Sequence, residues 1–553
     1  MADTDEINYR FSAEELDALK PFGSVEMHMA GDVLVAEGCT KADMIVTLSG
    51  QTDIVIATED GEKRVGWMEE GQFAGDLSVL TGQTHISRIV MGIDGAILRI
   101  AHDSFQNLLA GNPDFSDIFV RVLSARRSYS QGRDFAAVIV IGAGEDRNVY
   151  GLRDLLTKHG VPHRWIDPQD GPTAGRLFRE RSIDPTQLPV VLVGAKKALV
   201  QPSPTDVAAA LGLNALPDGA YADVVVVGAG PAGLAASVYA ASEGLSVVAL
   251  DTLAPGGQAG TSSKIENYLG FPTGISGGDL AQRAAVQAQK FGAKLVAPVT
   301  VDSLERLADG YCLTLADGRG LKGRAVVIAT GAQYQRLPID EIERFEGRGV
   351  YYGATAMEAQ MCAGTEVAVV GAGNSAGQGA MYLAGTAAKV HVVYRKGDIR
   401  ETMSEYLVKR LEEHPKIILH PSTEVVALHG AGDETGALRQ VTFQNRDSGE
   451  RTLCDCGYLF LFIGAAPYTK WLPKAMVCDA KGFVKTGTDI TPIELVKAGW
   501  AIDRMPTRYE TAWPRVYAVG DVRLGSVKRV ASGVGEGSVV VSDIHRALAE
   551  DQM

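Results

Sequence analysis

The sequence predicts a multidomain protein with an all-β domain at its N-terminus and α/β structure along the rest of the chain. Three observations lead to this prediction. Short apolar segments alternate with regularly spaced glycines over residues 1–112, strand and helix patterns alternate over 134–214, and two strand–glycine loop–helix units begin at Gly228 and Gly371. A chain of 553 residues is long enough for about three or four domains.

Composition and charge exclude some classes of function. The net charge of −14 argues against a general nucleic-acid binder, which needs a basic surface to neutralise phosphates. The acidic N-terminus lacks the basic start and apolar core of a signal peptide. Residues 224–241 are apolar, but their glycines and proline favour a buried strand, turn and helix over a membrane span. We therefore expect no nucleic-acid partner and no membrane association.

The six cysteines contain no Cys-x-x-Cys pair. This spacing fits neither a disulfide framework nor a zinc site, and it is consistent with a reducing cytoplasm. We therefore expect a cytoplasmic protein without a bound metal.

Residues 1–133 are expected to form a small β-roll closed by a helix. Its strands are predicted at 32–35, 44–48, 53–57 and 96–100, separated by turn glycines. Apolar residues at helical spacing predict the helix at about 114–130, which ends in a basic cluster of Arg121, Arg126, Arg127 and Arg133.

Residues 134–214 are expected to form a compact α/β domain. Strands are predicted at 136–141, 163–166, 189–193 and 198–200, and helices at 149–159, 173–181 and 205–211. Residues 215–220 have the composition of a linker.

The first glycine loop has the context of a dinucleotide-binding fingerprint. A strand at 223–227 leads into Gly228-Ala-Gly230-Pro-Ala-Gly233, a helix follows, and a second strand at 246–250 ends at Asp251. Gly230 lets a pyrophosphate approach the backbone at the helix N-terminus, and Asp251 can accept hydrogen bonds from a ribose diol.

The second glycine loop has a different residue set at the ribose position. The loop Gly371-Ala-Gly373-Asn-Ser-Ala376 lies between strands at 366–370 and 389–393. Where an acid would bind the ribose, the chain carries Arg395, Lys396 and, further on, Arg400. Cations attract a 2′-phosphate, so this unit is predicted to prefer NADPH. Two dinucleotide sites in one chain imply a relay from NADPH to a flavin.

Residues 220–550 resemble the bacterial thioredoxin reductase family of FAD- and NADPH-dependent oxidoreductases. The further shared motifs are Gly256-Gly-Gln258, Ile265-Glu-Asn267-Tyr268, Ala329-Thr330-Gly331, Ile463-Gly464 and Val519-Gly520-Asp521. The resemblance implies an FAD domain at 221–337 and 465–550 and a homodimer. It also implies an NADPH domain at 338–464 that rotates about hinges near Gly331–Pro338 and Gly464–Pro467.

The resemblance also implies the residues that bind each cofactor. Gln258 and Asn267 would face the flavin, and Asp521 would hold the ribitol chain. The FAD set is Gly228, Gly230, Pro231, Ala232, Gly233, Asp251, Gly257, Gln258, Asn267, Val299, Ala329, Thr330, Gly331, Gly520, Asp521, Lys528, Arg529, Val530 and Ala531. The NADPH set is Gly371, Gly373, Asn374, Ser375, Ala376, Arg395, Lys396, Arg400, Ile463 and Gly464.

One motif of the family is altered. The family carries Cys-Ala-Thr-Cys where this chain reads Gly353-Ala-Thr-Ala356, and neither residue can exchange with a disulfide. The electron acceptor is therefore open between a one-electron protein, a quinone, oxygen and an external disulfide. Cys454 and Cys456 are an alternative dithiol, with Cα atoms roughly 6.5–7 Å apart on a strand. Cys362 is an alternative lone reactive thiol.

Two further resemblances concern the N-terminal part. Residues 134–214 resemble a thioredoxin or glutaredoxin fold, which predicts a cis bond before Pro189. This segment has no cysteine, and Glu145-Asp-Arg-Asn148 occupies the dithiol position, so a structural or docking role is expected.

Residues 1–133 resemble cyclic-nucleotide-binding domains, with Asp76 at the family's ribose-binding acid and His85 at its phosphate-binding arginine. A cyclic nucleotide such as cAMP, or a cyclic dinucleotide such as c-di-GMP, is the expected effector, and a ligand-free structural roll is the alternative. The residues expected at this ligand are Gly75, Asp76, Leu77, Arg88, Arg121, Arg126 and Arg127.

The sequence thus predicts an NADPH-dependent FAD oxidoreductase that is regulated by a cyclic nucleotide and passes electrons on without a Cys-x-x-Cys. The alternatives are a thioredoxin-disulfide reductase that uses other cysteines and a non-enzymatic sensor of NADPH or nucleotide.

Overall fold

The structure is a computed structural model that describes residues 4–58, 61–75, 77–131, 138–169, 172–194, 197–262, 264–430 and 436–550. Along these ranges the chain forms a β-roll, a small α/β unit, and two larger α/β units that we call the first and second Rossmann units. No helix in these ranges is both long enough and apolar enough to cross a membrane.

The β-roll consists of two four-stranded antiparallel sheets. In order across each sheet, the strands are Ser24–His28, Gly95–Ile100, Met44–Thr47 and Phe73–Ala74, then Val33–Val35, Arg88–Ile93, Gln51–Thr58 and Gly61–Met68. The helices are Thr4–Ile7, Ala13–Leu19, Leu77–Thr81, His102–Gly111 and Pro113–Gln131, with a 3₁₀ turn at Lys20–Phe22.

The last of these helices is the one predicted at 114–130, and it closes the roll through aromatic packing. The ring of Phe119 lies 4.8 Å from that of Phe73 and 5.0 Å from that of Phe105. All three side chains are fully buried, so the helix is held by an apolar core.

The small α/β unit has a mixed four-stranded sheet. Across the sheet the strands are His163–Ile166, Val138–Ile141, Val190–Val193 and Lys197–Val200, of which only the first pair is parallel. The helices are Arg147–Lys158, Pro172–Glu180 and Pro204–Ala210. The Leu188–Pro189 bond is cis, as predicted.

Residues 215–220, which were predicted to be a linker, connect the small α/β unit to the first Rossmann unit and are held against the latter. Leu216 is buried in the core of the first Rossmann unit, and Ala220 already belongs to that unit's sheet. The Arg319 guanidinium donates to the carbonyls of Asn214 and Leu216 at 3.1 and 2.9 Å. Turn-forming residues are present, but these contacts fix the segment against the sheet.

The first Rossmann unit is built on a seven-stranded sheet. The strands run in the order Lys294–Val296, Val247–Leu250, Ala220–Val227, Gly320–Ile328, Gly310–Leu315 and Val301–Leu307, and Val516–Ala518 pairs with Gly320–Ile328. The helices are Pro231–Ser242, Gly277–Lys290, Pro492–Lys497 and Val530–Glu550, with 3₁₀ turns at Gly257–Thr261, Gly487–Asp489 and Gly520–Val522. Residues 224–227 are buried, as expected of a parallel strand covered on both faces.

The second Rossmann unit has a five-stranded parallel sheet and a three-stranded antiparallel sheet. The parallel strands are Val350–Tyr351, Tyr458–Leu461, Glu366–Val370, Lys389–Val393 and Ile417–His420, and the antiparallel strands are Thr423–Gly430, Leu438–Asn445 and Arg451–Cys454. The helices are Ile342–Phe345, Ala356–Met361, Asn374–Leu383 and Glu405–Glu413, with a 3₁₀ turn at Ile399–Glu401. The two chain crossings between the Rossmann units, Ala332–Tyr334 and Ala465–Pro467, pair as antiparallel strands at the predicted hinges.

Candidate functional site

The first glycine loop is shaped by the close approach of its own backbone. A Cβ on Gly233 would lie 1.8 Å from the carbonyl oxygen of Gly228, so only glycine permits the helix to begin there. A Cβ on Gly230 would face open space, with its nearest neighbour, the Cα of Gly257, at 3.9 Å. The loop is therefore closed on its inner side and open on the side where a pyrophosphate would approach.

Asp251 fastens this loop to the end of the neighbouring strand. Its carboxylate accepts hydrogen bonds from the backbone N–H groups of Ala229, Leu253 and Ala254 at 2.9, 3.0 and 3.3 Å. Burial raises the pKa of Asp251, and these three bonds oppose the shift by stabilising the ionised form. A carboxylate has about four lone-pair sites, so one site is left for a ribose hydroxyl.

A cavity of 1170 Å³ lies between the two Rossmann units. Its volume is above the ~300–1,000 Å³ of common ligand pockets, which suits an extended dinucleotide. Most of the predicted FAD residues line it: Gly228, Gly230, Pro231, Ala232, Asp251, Gly257, Gln258, Val299, Ala329, Thr330, Gly331, Gly520, Asp521, Lys528, Arg529 and Val530. From the predicted NADPH set it is lined by Gly373, Asn374, Ser375 and Gly464.

Three predicted FAD residues lie outside the cavity. Gly233 packs beneath the loop, and Ala531 is exposed. Asn267 was predicted to face the flavin, but it is exposed to solvent. Ile265 and Ile275 pair through backbone hydrogen bonds of 2.7 and 3.1 Å, which close the segment between them into a loop that projects outward.

The turn at Asp521 is positioned by a buried ion pair. Arg523 and Glu536 approach to 2.7 Å, and the same glutamate accepts a hydrogen bond from the N–H of Gly520 at 2.7 Å. The Lys528 ammonium donates to the carbonyl of Asp521. Burial raises the pKa of the Asp521 carboxyl, and the nearby Lys528 opposes this shift. The arrangement directs one carboxyl and one ammonium group into the cavity.

The cations predicted to bind a 2′-phosphate are not equally available. Lys396 lies 2.8 Å from Glu401, and Arg400 forms a two-pronged pair with Glu412 at 2.9 and 2.8 Å. Arg395 is exposed and has no carboxylate partner within the described residues. A phosphate would therefore meet Arg395 directly and would have to compete with acids for the other two.

Arg446 is a further cation at this turn that the sequence did not indicate. Its guanidinium donates to the carbonyl of Arg395 at 3.4 Å. It reaches the turn from the strand pair Thr423–Gly430 and Leu438–Asn445, so only the fold brings it there.

Gly353 lines the cavity and lies directly against the first Rossmann unit. A Cβ at this position would come within 2.9 Å of the Thr261 Cβ. Ala356 is exposed at the start of the helix Ala356–Met361, which Thr355 caps. A cysteine at position 353 would thus require Thr261 to move.

The small α/β unit forms one wall of the cavity. Arg147, Tyr150 and Lys158 of the helix Arg147–Lys158 are among the lining residues. The Tyr150 hydroxyl donates to Glu358 of the second Rossmann unit at 2.9 Å, and burial raises the pKa of Tyr150. The helix begins at Arg147, within the segment 145–148 that was predicted to stand at the dithiol position. Because Arg147 lines the cavity, this segment lies at the cavity. No sequence signal indicated this contact.

The predicted nucleotide residues of the β-roll are partly outside the described residues. Asp76 is one of these, and Leu77 is described only as the first residue of a short helix. His85 is buried, with Nδ1 2.8 Å from the Ser87 carbonyl oxygen. Gly75 follows the strand Phe73–Ala74, and its carbonyl accepts a bond from Arg126.

The four arginines predicted to gather at one ligand are dispersed. Arg126 is buried and donates to the carbonyls of Phe73 and Ile7, so its hydrogen bonds hold the closing helix against the roll. The other three have separate contacts: Arg88 with Glu62, Arg121 with Glu6 at 3.6 Å, and Arg127 with Gln83 at 3.5 Å. The prediction of Arg126 as a ligand residue is not supported, because its donors are used internally.

Three of the cysteines lie in the interior of the second Rossmann unit. Cys362 is fully buried, and burial raises its pKa to about 11, which disfavours a reactive thiolate. Cys454 and Cys456 are buried with their sulfur atoms 2.9 Å apart, and His391 lies beside them. Neither belongs to the cavity wall.

Comparison with known proteins identifies the class and then the family. Residues 222–537 match the pyridine nucleotide-disulphide oxidoreductase family, and residues 26–112 match the cyclic nucleotide-binding domain family. The chain therefore belongs to the pyridine nucleotide-disulphide oxidoreductases and carries a cyclic nucleotide-binding domain.

Within this family the chain is similar to thioredoxin reductases. It is 30% identical to that of Bacillus subtilis over 332 residues, which are 60% of this chain and 96% of the relative. Solved thioredoxin reductases of Lactococcus lactis (FR conformation) and T. acidophilum are 26% and 27% identical, each with a TM-score of 0.52. They cover 60% and 59% of this chain, and the chain covers 99% and 98% of them. The protein is thus a thioredoxin reductase-like flavoprotein oxidoreductase, of a family that binds FAD and NADPH.

We predict that Gly230→Ala leaves the fold intact and weakens FAD retention by roughly tenfold or more, about 1.4 kcal/mol. The added methyl group meets open space in the protein but occupies the side of the loop that a pyrophosphate needs. Flavin absorbance per chain after gel filtration, together with circular dichroism, measures the effect. Gly111→Ala, whose Cβ also meets open space, is the control and should retain FAD.

We predict that Arg395→Glu raises the KM for NADPH about tenfold or more and leaves the KM for NADH nearly unchanged. The exposed Arg395 is the cation without an acidic partner, so its replacement by an acid repels the 2′-phosphate selectively. Steady-state kinetics with both nucleotides measure the ratio. Arg451→Glu, an exposed charge reversal in the same unit, should change neither value.

Proposed function

We propose that this protein oxidises NADPH through FAD and delivers the electrons to an acceptor without a dithiol of its own. The observation that carries the proposal is one cavity lined by both glycine-loop sites, with Gly353 facing Thr261 inside it. No cysteine occurs among the described residues of the cavity wall. An acceptor must therefore take electrons at the cavity or at its edge.

The residues of the chain have binding and orienting roles in this reaction. When bound, FAD accepts two electrons from NADPH and releases them to an acceptor. The open loop at Gly230 and the carboxylate of Asp251 would hold the FAD phosphates and ribose, and Arg395 would select the phosphorylated nucleotide. Asn374 is fixed by exchanging hydrogen bonds with Ser404 at 2.9 and 2.7 Å, which orients the start of the second glycine-loop helix. Orientation of this kind is the main contribution a protein makes to hydride transfer.

The small α/β unit is proposed to be a thioredoxin-like module that has a positional role. Its strand order, with the first two strands parallel and the rest antiparallel, supports this reading. Its helix Arg147–Lys158 covers the cavity and contacts Glu358 and Glu346 of the second Rossmann unit. A module placed there restricts which acceptors reach the cavity. The domain limits 134–214, 221–337 with 465–550, and 338–464, the homodimer and the cytoplasmic location are also proposed from the family resemblance.

We further propose that a cyclic nucleotide in the β-roll controls this reaction. The match to cyclic nucleotide-binding domains supports a ligand there. The dispersal of Arg121, Arg126 and Arg127 favours a mononucleotide over a cyclic dinucleotide, because a dinucleotide needs several free guanidinium groups at one place. Arg88 would pair with the phosphate after leaving the exposed Glu62.

One helix connects the two sites. A small second cavity of 80 Å³ is lined by Gln83 and Arg127 of the roll and by Lys158 and His159 of the small unit. The N–H of Thr84 also donates to the carbonyl of Leu211 at 3.0 Å. Lys158, the last residue of the helix Arg147–Lys158, thus lies at this small cavity and also at the flavin cavity, which Arg147 and Tyr150 line as well. A movement of residues 83–84 would reach the Tyr150–Glu358 contact through this helix.

We predict that the protein reduced anaerobically by NADPH is reoxidised faster by a quinone or a one-electron protein than by oxygen. Without sulfur at the cavity, transfer to a thioredoxin disulfide lacks its exchange partner. Stopped-flow flavin absorbance with each acceptor measures the rates. If no acceptor exceeds oxygen, the non-enzymatic sensor is the better description. If a thioredoxin disulfide is fastest and Cys454→Ser/Cys456→Ser abolishes its reduction, the alternative dithiol is correct.

We predict that cAMP or cGMP binds the full-length chain with measurable heat and that Arg88→Ala removes it, because Arg88 would lose its bond to the phosphate. Arg121→Ala should bind normally, since Arg121 pairs with Glu6 on the outside of the roll. Isothermal titration calorimetry with cAMP, cGMP and c-di-GMP tests this. Binding of c-di-GMP alone, or of none of the three, would contradict the proposal.

A further inference from the structure

Three metal-ligating side chains that are distant in sequence meet in the interior of the second Rossmann unit. His391 lies on the parallel strand Lys389–Val393, Cys454 ends the antiparallel strand Arg451–Cys454, and Cys456 follows two residues later. Their ligand atoms all lie within 4.8 Å of one another, and all three residues are buried. We call this group the Cys–His cluster. It lies away from the nucleotide cavity and has no part in the proposed reaction.

The backbone places both sulfur atoms on the same side. The N–H of Cys456 donates to the carbonyl of Cys454 at 2.8 Å, which turns the chain tightly after the strand. The Sγ atoms are 2.9 Å apart. This is longer than a disulfide bond of about 2.05 Å, so the pair is set as two free thiols.

The histidine is held as metal ligands usually are. Its Nε2 lies 3.1 Å from a carboxylate oxygen of Glu366, and its Nδ1 lies 3.0 Å from Nε2 of His420. A carboxylate on one ring nitrogen fixes the tautomer and leaves the other nitrogen as a donor to metal. The second imidazole, His420 on the neighbouring strand Ile417–His420, offers a further nitrogen atom beside His391.

We propose that His391, Cys454 and Cys456 bind a zinc ion and that His420 supplies the fourth ligand. Two sulfur and two nitrogen donors form a closed tetrahedral set that is typical of structural zinc. With Zn–S near 2.3 Å and Zn–N near 2.0–2.1 Å, such ligand atoms lie about 3.3–3.8 Å apart. On binding, the Sγ–Sγ distance of 2.9 Å and the distance of 3.0 Å between the two imidazole nitrogens would widen to this spacing. His420, which contacts His391 but lies outside the group within 4.8 Å, would move toward the two sulfur atoms. The ion would join the five-stranded sheet to the three-stranded sheet.

From the spacing of the cysteines we expected no zinc site and no bound metal. Zinc sites are recognised from paired ligands at short spacing, such as Cys-x-x-Cys. Here the cysteines are spaced as Cys-x-Cys, and the histidines lie on two neighbouring parallel strands well before them.

The test uses the full-length chain, reduced and freed of metal with a chelator, then dialysed against Zn²⁺ or Co²⁺. We expect about one zinc per chain by mass spectrometry of the metal. With Co²⁺ we expect the charge-transfer absorption of thiolate ligands and the intense visible bands of tetrahedral cobalt. Cys454→Ser/Cys456→Ser should lose both signals. The matched control, Cys312→Ser/Cys478→Ser, removes two other free cysteines and should keep them.

Circular dichroism shows whether the double variant folds. If it misfolds, two further measurements test the proposal. His391→Ala, with both cysteines present, should lose stoichiometric zinc, and zinc should raise the midpoint of thermal unfolding of the parent chain. No zinc bound after reduction, zinc binding that survives Cys454→Ser/Cys456→Ser, or a cobalt spectrum without thiolate absorption would each overturn the proposal.

Discussion

The structure of the nucleotide site depends on one buried carboxylate. Asp251 accepts three backbone hydrogen bonds and so joins the glycine loop, the end of its strand and the following turn. The carbonyl of Leu253 in that turn contacts Nε2 of His159 at 3.0 Å, which extends the connection to the small α/β unit. Removal of the carboxylate would leave buried N–H groups without partners, at about 1–3 kcal/mol each. The glycine loop and the domain that covers it are thus positioned by the same side chain.

The small α/β unit connects the reductase core to the β-roll. The helix Arg147–Lys158 lines the cavity between the Rossmann units, and its last residue, Lys158, also lines a small cavity together with Gln83 and Arg127 of the roll. The contacts of this helix at the larger cavity are both polar and apolar: Tyr150 bonds to Glu358 and Arg147 pairs with Glu346, while the Tyr150 ring lies 5.4 Å from that of Tyr351 and packs against the core of the second Rossmann unit. The second Rossmann unit is also attached through the strand pair Ala332–Tyr334 and Ala465–Pro467, so its rotation would have to break the contacts of this helix.

The second Rossmann unit has charged side chains at its nucleotide edge and sulfur atoms in its interior. Two of the exposed cations at the edge are paired with Glu401 and Glu412. A phosphate at this edge therefore meets a lower net positive charge. The interior of the unit holds the Cys–His cluster, where burial makes ionised thiols costly unless a cation is shared. The second Rossmann unit therefore has no sulfur at Gly353 and Ala356 but holds two buried sulfur atoms away from the nucleotide cavity.

The sequence by itself determined the order of the units and the two glycine loops. It did so because local patterns carry this information: valines and glycines fix the strand–turn–helix bounds, and apolar spacing fixes the helix at 113–131. It also predicted the glycine-loop and flavin-motif residues of the cavity wall, since they belong to motifs that are contiguous in the chain.

Only the tertiary structure decided the rest, because contacts between distant segments leave no local pattern. Packing across strands and domains decides that Asn267 is exposed and that Arg126 bonds inside the roll. It also decides that acids pair with Lys396 and Arg400 and that His391 lies beside Cys454. The same holds for the helix Arg147–Lys158 at the flavin cavity, which no spacing of residues in the chain could have indicated.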